Sequence, residues 1–322
     1  MTGPESADHE PMRVLVAIDG SEPASLGVEL AAGIGWPAGT QIVVAEAVHS
    51  GEGLFGWPRP PLGTGKANRL EIEIRATADR DVCAARDRLT RPGLNVEAAV
   101  LGGRPATAII DRARAMRADL IVVGSRGHGR IGSMRLGSIS SELVDHAPAP
   151  VLVARDACID RVLLAWDGST CAGRAADLLC AWPIFGASAV RVVSVADIEV
   201  PWWTGFPEPG SPELMPIFVE AAESSRKHHD ELALGMTEAL RGAGLKAVAD
   251  RREGDAATEI LAWAATTKTD LIVMGTHGRT GLARLVIGSV ARNVLQHATC
   301  SVLVVRENDP HPGPEPGTPT RN

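Results

Sequence analysis

Asp119-Leu-Ile-Val-Val-Gly124-Ser-Arg-Gly127, then nine residues, then Gly137-Ser138, is one half of a repeated statement. The other half is Asp270-Leu-Ile-Val-Met-Gly275-Thr-His-Gly278, nine residues, and Gly288-Ser289. Each copy is an acid-led apolar strand that runs into a glycine-rich loop. A short helical pattern follows, ending in His-Ala, and then a second apolar strand (Val151-Leu-Val-Ala and Val302-Leu-Val-Val). A strand, a glycine-rich loop and a helix N-terminus form a place where backbone N–H groups converge on an anion. Both stretches read as phosphate cradles for a nucleotide.

Working outward, the flanks repeat as well. Arg13-Val-Leu-Val-Ala-Ile-Asp19-Gly-Ser returns as Arg161-Val-Leu-Leu-Ala-Trp-Asp167-Gly-Ser. Asp19 and Asp167 lie 148 residues apart, and Gly124 and Gly275 lie 151 apart. A near-constant offset through several elements marks an internal duplication. In the first copy, Met12–Ile18 predicts a buried strand. Residues 22–34 predict a helix, with Leu26, Leu30 and Ile34 spaced by four. Further strands are expected at 41–48, 96–101 and 151–154, and helices at 66–89, 105–116 and 138–146, with Pro105 well placed in a first turn. The second copy predicts strands at 190–195, 245–251 and 302–305 and helices at about 212–240 and 256–267. Gly-, Pro- and Trp-rich loops are expected at 50–65 and from Pro201 to Pro207.

Strands that are apolar throughout, alternating with helices, imply parallel sheets covered on both faces. The expected fold is therefore α/β: two tandem, doubly wound, five-stranded parallel-sheet domains of Rossmann-like type, spanning 12–156 and 157–307. Residues 1–11 and 308–322 read as disordered tails. In such sheets ligands bind beyond the carboxyl ends of the strands, where the strand order reverses. Asp19, Gly124, Asp167 and Gly275 all fall at such ends. The last strand of each unit would be an edge, and edges invite pairing. The two halves are expected to associate there, with further assembly of two chains.

Composition narrows the function. The 322 residues carry a formal net charge of −7, which disfavours nucleic acid as a partner. No apolar run approaches the roughly 18–20 residues of a membrane helix, and the polar start gives no signal peptide. Five cysteines (Cys83, Cys158, Cys171, Cys180, Cys300) without a CxxC pairing point away from disulfides and zinc, and toward a reducing cytoplasm.

The Gly-x2-Gly-x9-Gly-Ser loop after a strand, with an aspartate closing the first strand, resembles the universal stress protein family. Two such units resemble its tandem form, common in actinobacteria, and the likeness covers roughly residues 12–156 and 160–306. The resemblance implies a fold of the adenine nucleotide alpha hydrolase type and an ATP-binding regulator of the stress or dormancy response. ATP is the implied cofactor, with Mg²⁺ as an optional companion, and hydrolysis or autophosphorylation would be slow at most. Carried over residue by residue, the ribose contact falls on Asp19 and Asp167. Adenine would lie against Ala17, Ile18 and Ala47 in the first half and against Ala165, Trp166 and Val195 in the second. The phosphate loops would be Gly124, Gly127, Gly137, Ser138 and Ile139, echoed by Gly275, Gly278, Gly288, Ser289 and Val290. Val123 and Met274 immediately precede those loops. Trp166 stands where the first copy has Ile18, so the two sites are not expected to be equal.

Other motifs carry less. The glycines also permit turns without any ligand, and Asp19 and Asp167 also suit an Asx-turn beside the helix-capping Ser21 and Ser169. Arg126, Arg130 and Arg135 crowd the first loop, and His277, Arg279 and Arg284 the second; only Arg126 and His277 match in position, and solvated charge explains them all. His128 has no counterpart, while His146 and His297 match at a helix C-terminus, which favours a cation. Residues 127–132 spell GxGxxG, but after the fourth strand and in one copy only. Gly63-Thr-Gly-Lys66 lacks the rest of a P-loop, and His228-His229-Asp230 reads as a solvated helix face. Phosphoryl transfer needs a metal carboxylate and a group to orient water. Beyond Asp19 the first loop offers only Glu142, whose counterpart is Asn293. Two alternatives stay open: an ATP-processing enzyme of related fold, and an interaction protein with empty sites.

Overall fold

The computed structural model describes residues 10–48, 64–125, 136–196, 215–278 and 287–306, excepting the side chains of 64–68, 70 and 215–218. In the first half the strands are β1 (Arg13–Ile18), β2 (Gln41–Val48), β3 (Asn95–Gly102), β4 (Leu120–Gly124) and β5 (Val151–Ala154). Its helices are α1 (Glu22–Gly33), α2 (Thr64–Leu89), α3 (Pro105–Ala115) and α4 (Ser138–His146). The second half repeats them as β6 (Arg161–Ala165), β7 (Ala189–Ala196), β8 (Lys246–Glu253), β9 (Leu271–Gly275) and β10 (Ser301–Val305). Its helices are α5 (Thr170–Ala181), α6 (Met215–Gly242), α7 (Ala256–Thr266) and α8 (Ser289–His297).

All ten strands form one sheet in the order β3-β2-β1-β4-β5-β10-β9-β6-β7-β8. Pairing is parallel inside each half and antiparallel between β5 and β10, where Val153 faces Val302. The two final strands thus join the halves, as their apolar edges led one to expect. One consequence is directional. The strands of the two halves run opposite ways, so their carboxyl ends open on opposite rims of the sheet.

Alternation within the strands builds two cores, because successive side chains point to opposite faces. Val14, Val16 and Ile18 turn to the face covered by α1, α2, α5 and α6. Leu15 and Ala17 turn to the face covered by α3, α4, α7 and α8. Each core layer runs through both halves. Leu15, Ile121, Leu163 and Ile272 are fully enclosed, and burying a side chain of this size contributes about 1.5–3 kcal/mol.

Polar residues fix the amino ends of the central strands. Asp119 accepts from the Arg13 backbone N–H at 2.7 Å, from its Nε at 3.2 Å and from Nη2 at 2.8 Å. Asp270 does the same for Arg161, at 2.9, 3.1 and 2.5 Å. The acid that leads β4 and β9 is therefore a fork partner for the arginine that starts β1 and β6. It sits at the opposite end of the strand from the glycine loop.

Helix starts follow the sequence. Ser21 Oγ accepts from Ala24 N, and Ser169 Oγ from Ala172 N, capping α1 and α5. Strand β8 extends two residues past the expected Arg251. Its pairing with β7 continues to Ala196 opposite Glu253, and Arg252 is held by Glu259 and the Trp263 ring. Charged side chains had concealed a strand whose backbone ladder is intact.

Candidate functional site

The strand order reverses between β1 and β4 and again between β6 and β9, so each half has one crevice at its carboxyl rim. The crevice is built first by the turn after β1. Gly20 and Gly168 adopt φ of 73° and 77°, a region that side chains disfavour. That turn folds the aspartate back on its own backbone. Asp19 Oδ1 accepts from Ser21 N at 3.1 Å and from Ser21 Oγ at 2.6 Å, and Asp167 Oδ1 accepts from Ser169 N at 3.0 Å. One carboxylate oxygen in each half therefore serves the turn.

The loop after β9 closes onto this turn. A Cβ on Gly278 would lie 2.8 Å from Asp167 Oδ2, so the glycine lets the loop backbone sit against that carboxylate without displacing it. Ser169 Oγ donates to His277 O at 3.2 Å, and His277 Nδ1 lies 3.0 Å from Thr276 Oγ1. Asp167, His277 and Gly278, separated by 110 positions and more in the chain, are neighbours here.

Past the loop the chain returns to the strand tip. Gly137 N donates to Ser125 O, and Gly288 N to Thr276 O, both at 2.8 Å. These glycines are the N-caps of α4 and α8 and have no side chain to satisfy the first helical N–H groups. The helix starts that follow the loops thus lack the serine caps of α1 and α5, the condition under which a helix N-terminus accepts an anion. Ser138 and Ser289 are the first helical residues. Ser140, which sequence reading passed over, donates to Gly124 O at 2.8 Å and pins α4 to β4; its counterpart in the second half is Ala291.

Gly124 and Gly275 have a packing role that the sequence reading did not assign. They were expected as phosphate-loop residues. A Cβ at Gly124 would stand 2.5 Å from Pro23 O and 2.8 Å from Ala24 N; one at Gly275 would stand 2.6 Å from Cys171 Cβ and 2.8 Å from Ala172 N. Both glycines let β4 and β9 pass the first turns of α1 and α5. Their absence of a side chain is a packing requirement, whatever else their backbones do.

The proposed adenine walls divide between faces. Ala17, Ala47, Val123 and Ile139 share the α3/α4 side, as Ala165, Val195, Met274 and Val290 share the α7/α8 side. Ile18 and Trp166 point to the other face, toward α1/α2 and α5/α6. The Trp166 Nε1–H is buried and has no hydrogen-bond partner among the described residues. Glu142 lies 3.9 Å from Arg104 Nη2.

In His228-His229-Asp230 the two outer residues are exposed, as the composition suggests, while His229 is half-buried. His229 Nδ1 is 2.8 Å from Oγ of the buried Ser194 on β7, and Asp230 pairs with Arg251 at 2.9 Å. Among the described residues no cluster of three His, Cys, Asp or Glu side chains could hold a metal ion, and no helix is long and apolar enough to cross a membrane. Gly127, Arg126, His128, Arg130 and Arg135 of the first loop lie outside the described residues. So do Arg279, Gly281 and Arg284 of the second, the two Pro/Trp loops, and both tails apart from Glu10 and Pro11.

Comparison with known proteins agrees with the repeat. The model of the family described as "Universal stress protein family" matches residues 11–155 and again 159–306. A universal stress protein of Mycobacterium tuberculosis is 25% identical over 317 residues, covering 94% of this chain and 99% of that one. One from Thermus aquaticus is 36% identical over 142 residues, 44% of this chain and 97% of its own. Among solved structures, a universal stress protein from Archaeoglobus fulgidus superposes with a TM-score of 0.62 at 19% identity. It spans 92% of this chain and 98% of that chain, a likeness of fold.

Proposed function

Since the chain belongs to the universal stress protein family, a family of stress-related proteins, we propose that it binds an adenine nucleotide, ATP, in the crevice of each half. Binding would regulate other proteins in a stress response rather than drive rapid turnover. The observation that carries this reading is the closure of the second loop: Gly278 rests on the Asp167 carboxylate, between a strand tip and a helix that begins on glycine. A loop held in that way presents backbone N–H groups beside a fixed acceptor. That is the pairing a phosphate next to a ribose hydroxyl calls for.

In this reading the Asp19 and Asp167 carboxylates, each with one oxygen holding the turn, contact the ribose. The first N–H groups of α4 and α8 face the phosphates, and their helix dipoles add to the attraction. The small side chains Ala17 and Ala47, or Ala165 with Val195, leave room at the strand tips for a flat base. Each charge-assisted hydrogen bond contributes roughly 1.5–3 kcal/mol. A micromolar complex needs about −8 kcal/mol, so a few such bonds plus base burial suffice. Mg²⁺ would arrive with the phosphates, where it commonly keeps water ligands. Glu142, turned toward Arg104 in one half and replaced by Asn293 in the other, gives little support to a shared water-activating residue.

The test is equilibrium dialysis of ATP and ADP against the full chain, with nucleotide released by denaturation identified by chromatography. Two sites per chain are expected, and Asp167→Asn or Gly278→Ala should remove one of them while leaving the other. Absence of saturable binding below about 1 mM, a weak limit of roughly −4 kcal/mol, would rule the reading out. So would unchanged stoichiometry in a variant carrying both Asp19→Asn and Asp167→Asn.

A further inference from the structure

The duplication supplies its own control, because a feature present in one half alone is not needed for the fold. The amino-terminal rim of the second half has such a feature. An open cavity of about 470 Å³ lies where β6, β7 and β8 begin, at the opposite end of those strands from the crevice just described. Its lining includes Arg161, Arg191, Arg241 and Lys246, with Thr267 and Val248. The volume falls in the range of small-molecule sites.

The first half lacks this chemistry. By the 148- and 151-residue offsets, Arg191, Arg241 and Lys246 correspond to Val43, Thr90 and Asn95, and Thr267 to Met116. Only Arg161 has a basic counterpart, Arg13, and both are engaged by a strand-leading aspartate. The same fold therefore forms without these three cations, with Arg13 and, in the place of Val248, Glu97 as the charged groups, so the three added cations need another reason.

Charge balance indicates which of them face a ligand. Arg161 is held by Asp270, and Arg191 Nη1 by Asp250 at 3.0 Å. Arg241 gives its Nε–H to Ala247 O at 2.8 Å, which orients the guanidinium without neutralising it. Lys246 has no carboxylate partner among the described residues. Asp156 and Asp160 stand near Arg161 rather than among the lining residues, and they temper the field on that side. Two positive heads remain on a pocket whose other walls include the aliphatic side chain of Val248, 41% exposed. A bare row of edge-strand lysines would serve to block aggregation. A fixed arginine and a lysine around a concave volume suit an oxyanion attached to an apolar or sugar body.

We propose that this rim is a second kind of site, one that binds a small phosphorylated molecule through Arg241 and Lys246, independently of the crevices at the strand tips. It shares a rim with the first half's crevice, because the halves run antiparallel, but lies several strand spacings of ~4.8 Å away.

The probe is inorganic pyrophosphate, titrated into the ¹⁵N-labelled full chain and followed by TROSY spectra. Saturable shifts are expected at the amides of 246–248 and 267–269. A variant carrying Arg241→Gln and Lys246→Gln should weaken them at least tenfold, and the spectrum itself shows whether the variant is folded. Lys246→Gln alone, on an exposed strand start, gives a milder second measurement. Shifts confined to 275–278 and 288–290, or shifts at 246–248 that survive both substitutions, would overturn the proposal. The same spectra keep it separate from the nucleotide reading, since each site reports through its own residues.

Discussion

Arg306→Ala should cost about 2–3 kcal/mol of stability, although the residue lies just past the last strand. Its side chain crosses to the other half and donates from Nη1 to Ala147 O at 2.7 Å, and from Nη2 to Leu143 O at 3.2 Å and to Val144 O. These are carbonyls of the last turn of α4 and its cap, where partial negative charge gathers; Leu143 O also accepts from Ala147 N, while the last helical carbonyls lack internal donors. Arg155, just past β5, reaches the other way, to Leu295 O at 2.5 Å in the last turn of α8 and to Cys300 O at 3.5 Å just before β10. Each half thus caps the other's final helix. Hydrogen bonds from a charged donor contribute roughly 1.5–3 kcal/mol net. Arg306 makes three contacts and belongs at the upper end. Arg155 has one stretched contact, and Arg155→Ala should cost roughly 1–2 kcal/mol.

The pairing of Val153 with Val302 places Arg155 opposite Cys300 and Arg306 opposite Ala149. The two arginines are then about 20 Å apart at ~3.3 Å per residue, beyond the range at which substitutions couple. The double variant should lose the sum, within about 0.5 kcal/mol. Urea unfolding at matched concentration, followed by Trp fluorescence and by circular dichroism, measures this from the midpoint at constant slope. Arg306→Lys should recover little, because one ammonium cannot serve three carbonyls as a planar fork does. A loss below 0.5 kcal/mol in Arg306→Ala, or full recovery by lysine, would refute the clamp.

Three further outcomes follow from other residues. Gly124→Ala and Gly275→Ala should each lower stability by about 1–3 kcal/mol, because the new methyl meets the backbone of α1 or α5. Among the described residues the methyl of Gly278→Ala meets only the Asp167 carboxylate, so it should leave the urea midpoint nearly unchanged while weakening nucleotide binding in dialysis. Arg117 and Lys268 both hold φ of 51° after α3 and α7; Lys268→Gly should therefore stabilise by roughly 0.5–1 kcal/mol in the same unfolding assay. Burial pushes the Cys300 thiol up to about 11 from 9.0. The folded state thus retains a proton that the unfolded chain releases, and the resulting stability is complete below pH 9 and declines as pH rises through 11. Comparing wild type with Cys300→Ala at pH 8 and pH 11 isolates this loss, on the order of 2–3 kcal/mol.

Much of the fold was legible because the strands are apolar on both faces and the pattern is written twice. Ser21 and Ser169 as caps, Pro105 at a helix start, and the meeting of the two last strands all followed from local chemistry or from an edge that needed a partner. What could not be read was non-local. Arg155 closes the first expected domain, and nothing near it in the chain announces the end of α8. His229 finds Ser194 across 35 positions. The basic rim of the second half gathers residues from 161, 191, 241 and 246, no two of which form a motif.

Repetition also had to be weighed rather than trusted. Both halves keep the arginine–aspartate fork and the left-handed residue after α3 and α7, and these serve folding alone. Gly124 and Gly275 recur with equal fidelity, yet a side chain there would strike helix backbone, so their recurrence says nothing about a ligand. Gly278 is different in kind. Among the described residues, the only atoms a methyl would meet belong to the carboxylate of Asp167, a side chain that could turn aside if folding were the sole constraint. A glycine that keeps a loop beside a carboxylate, ahead of a helix with no side-chain cap, constrains what can enter the crevice more than what can fold. That difference lets the nucleotide reading rest on Asp167, Gly278 and Gly288, and it directs the decisive substitutions to the second half.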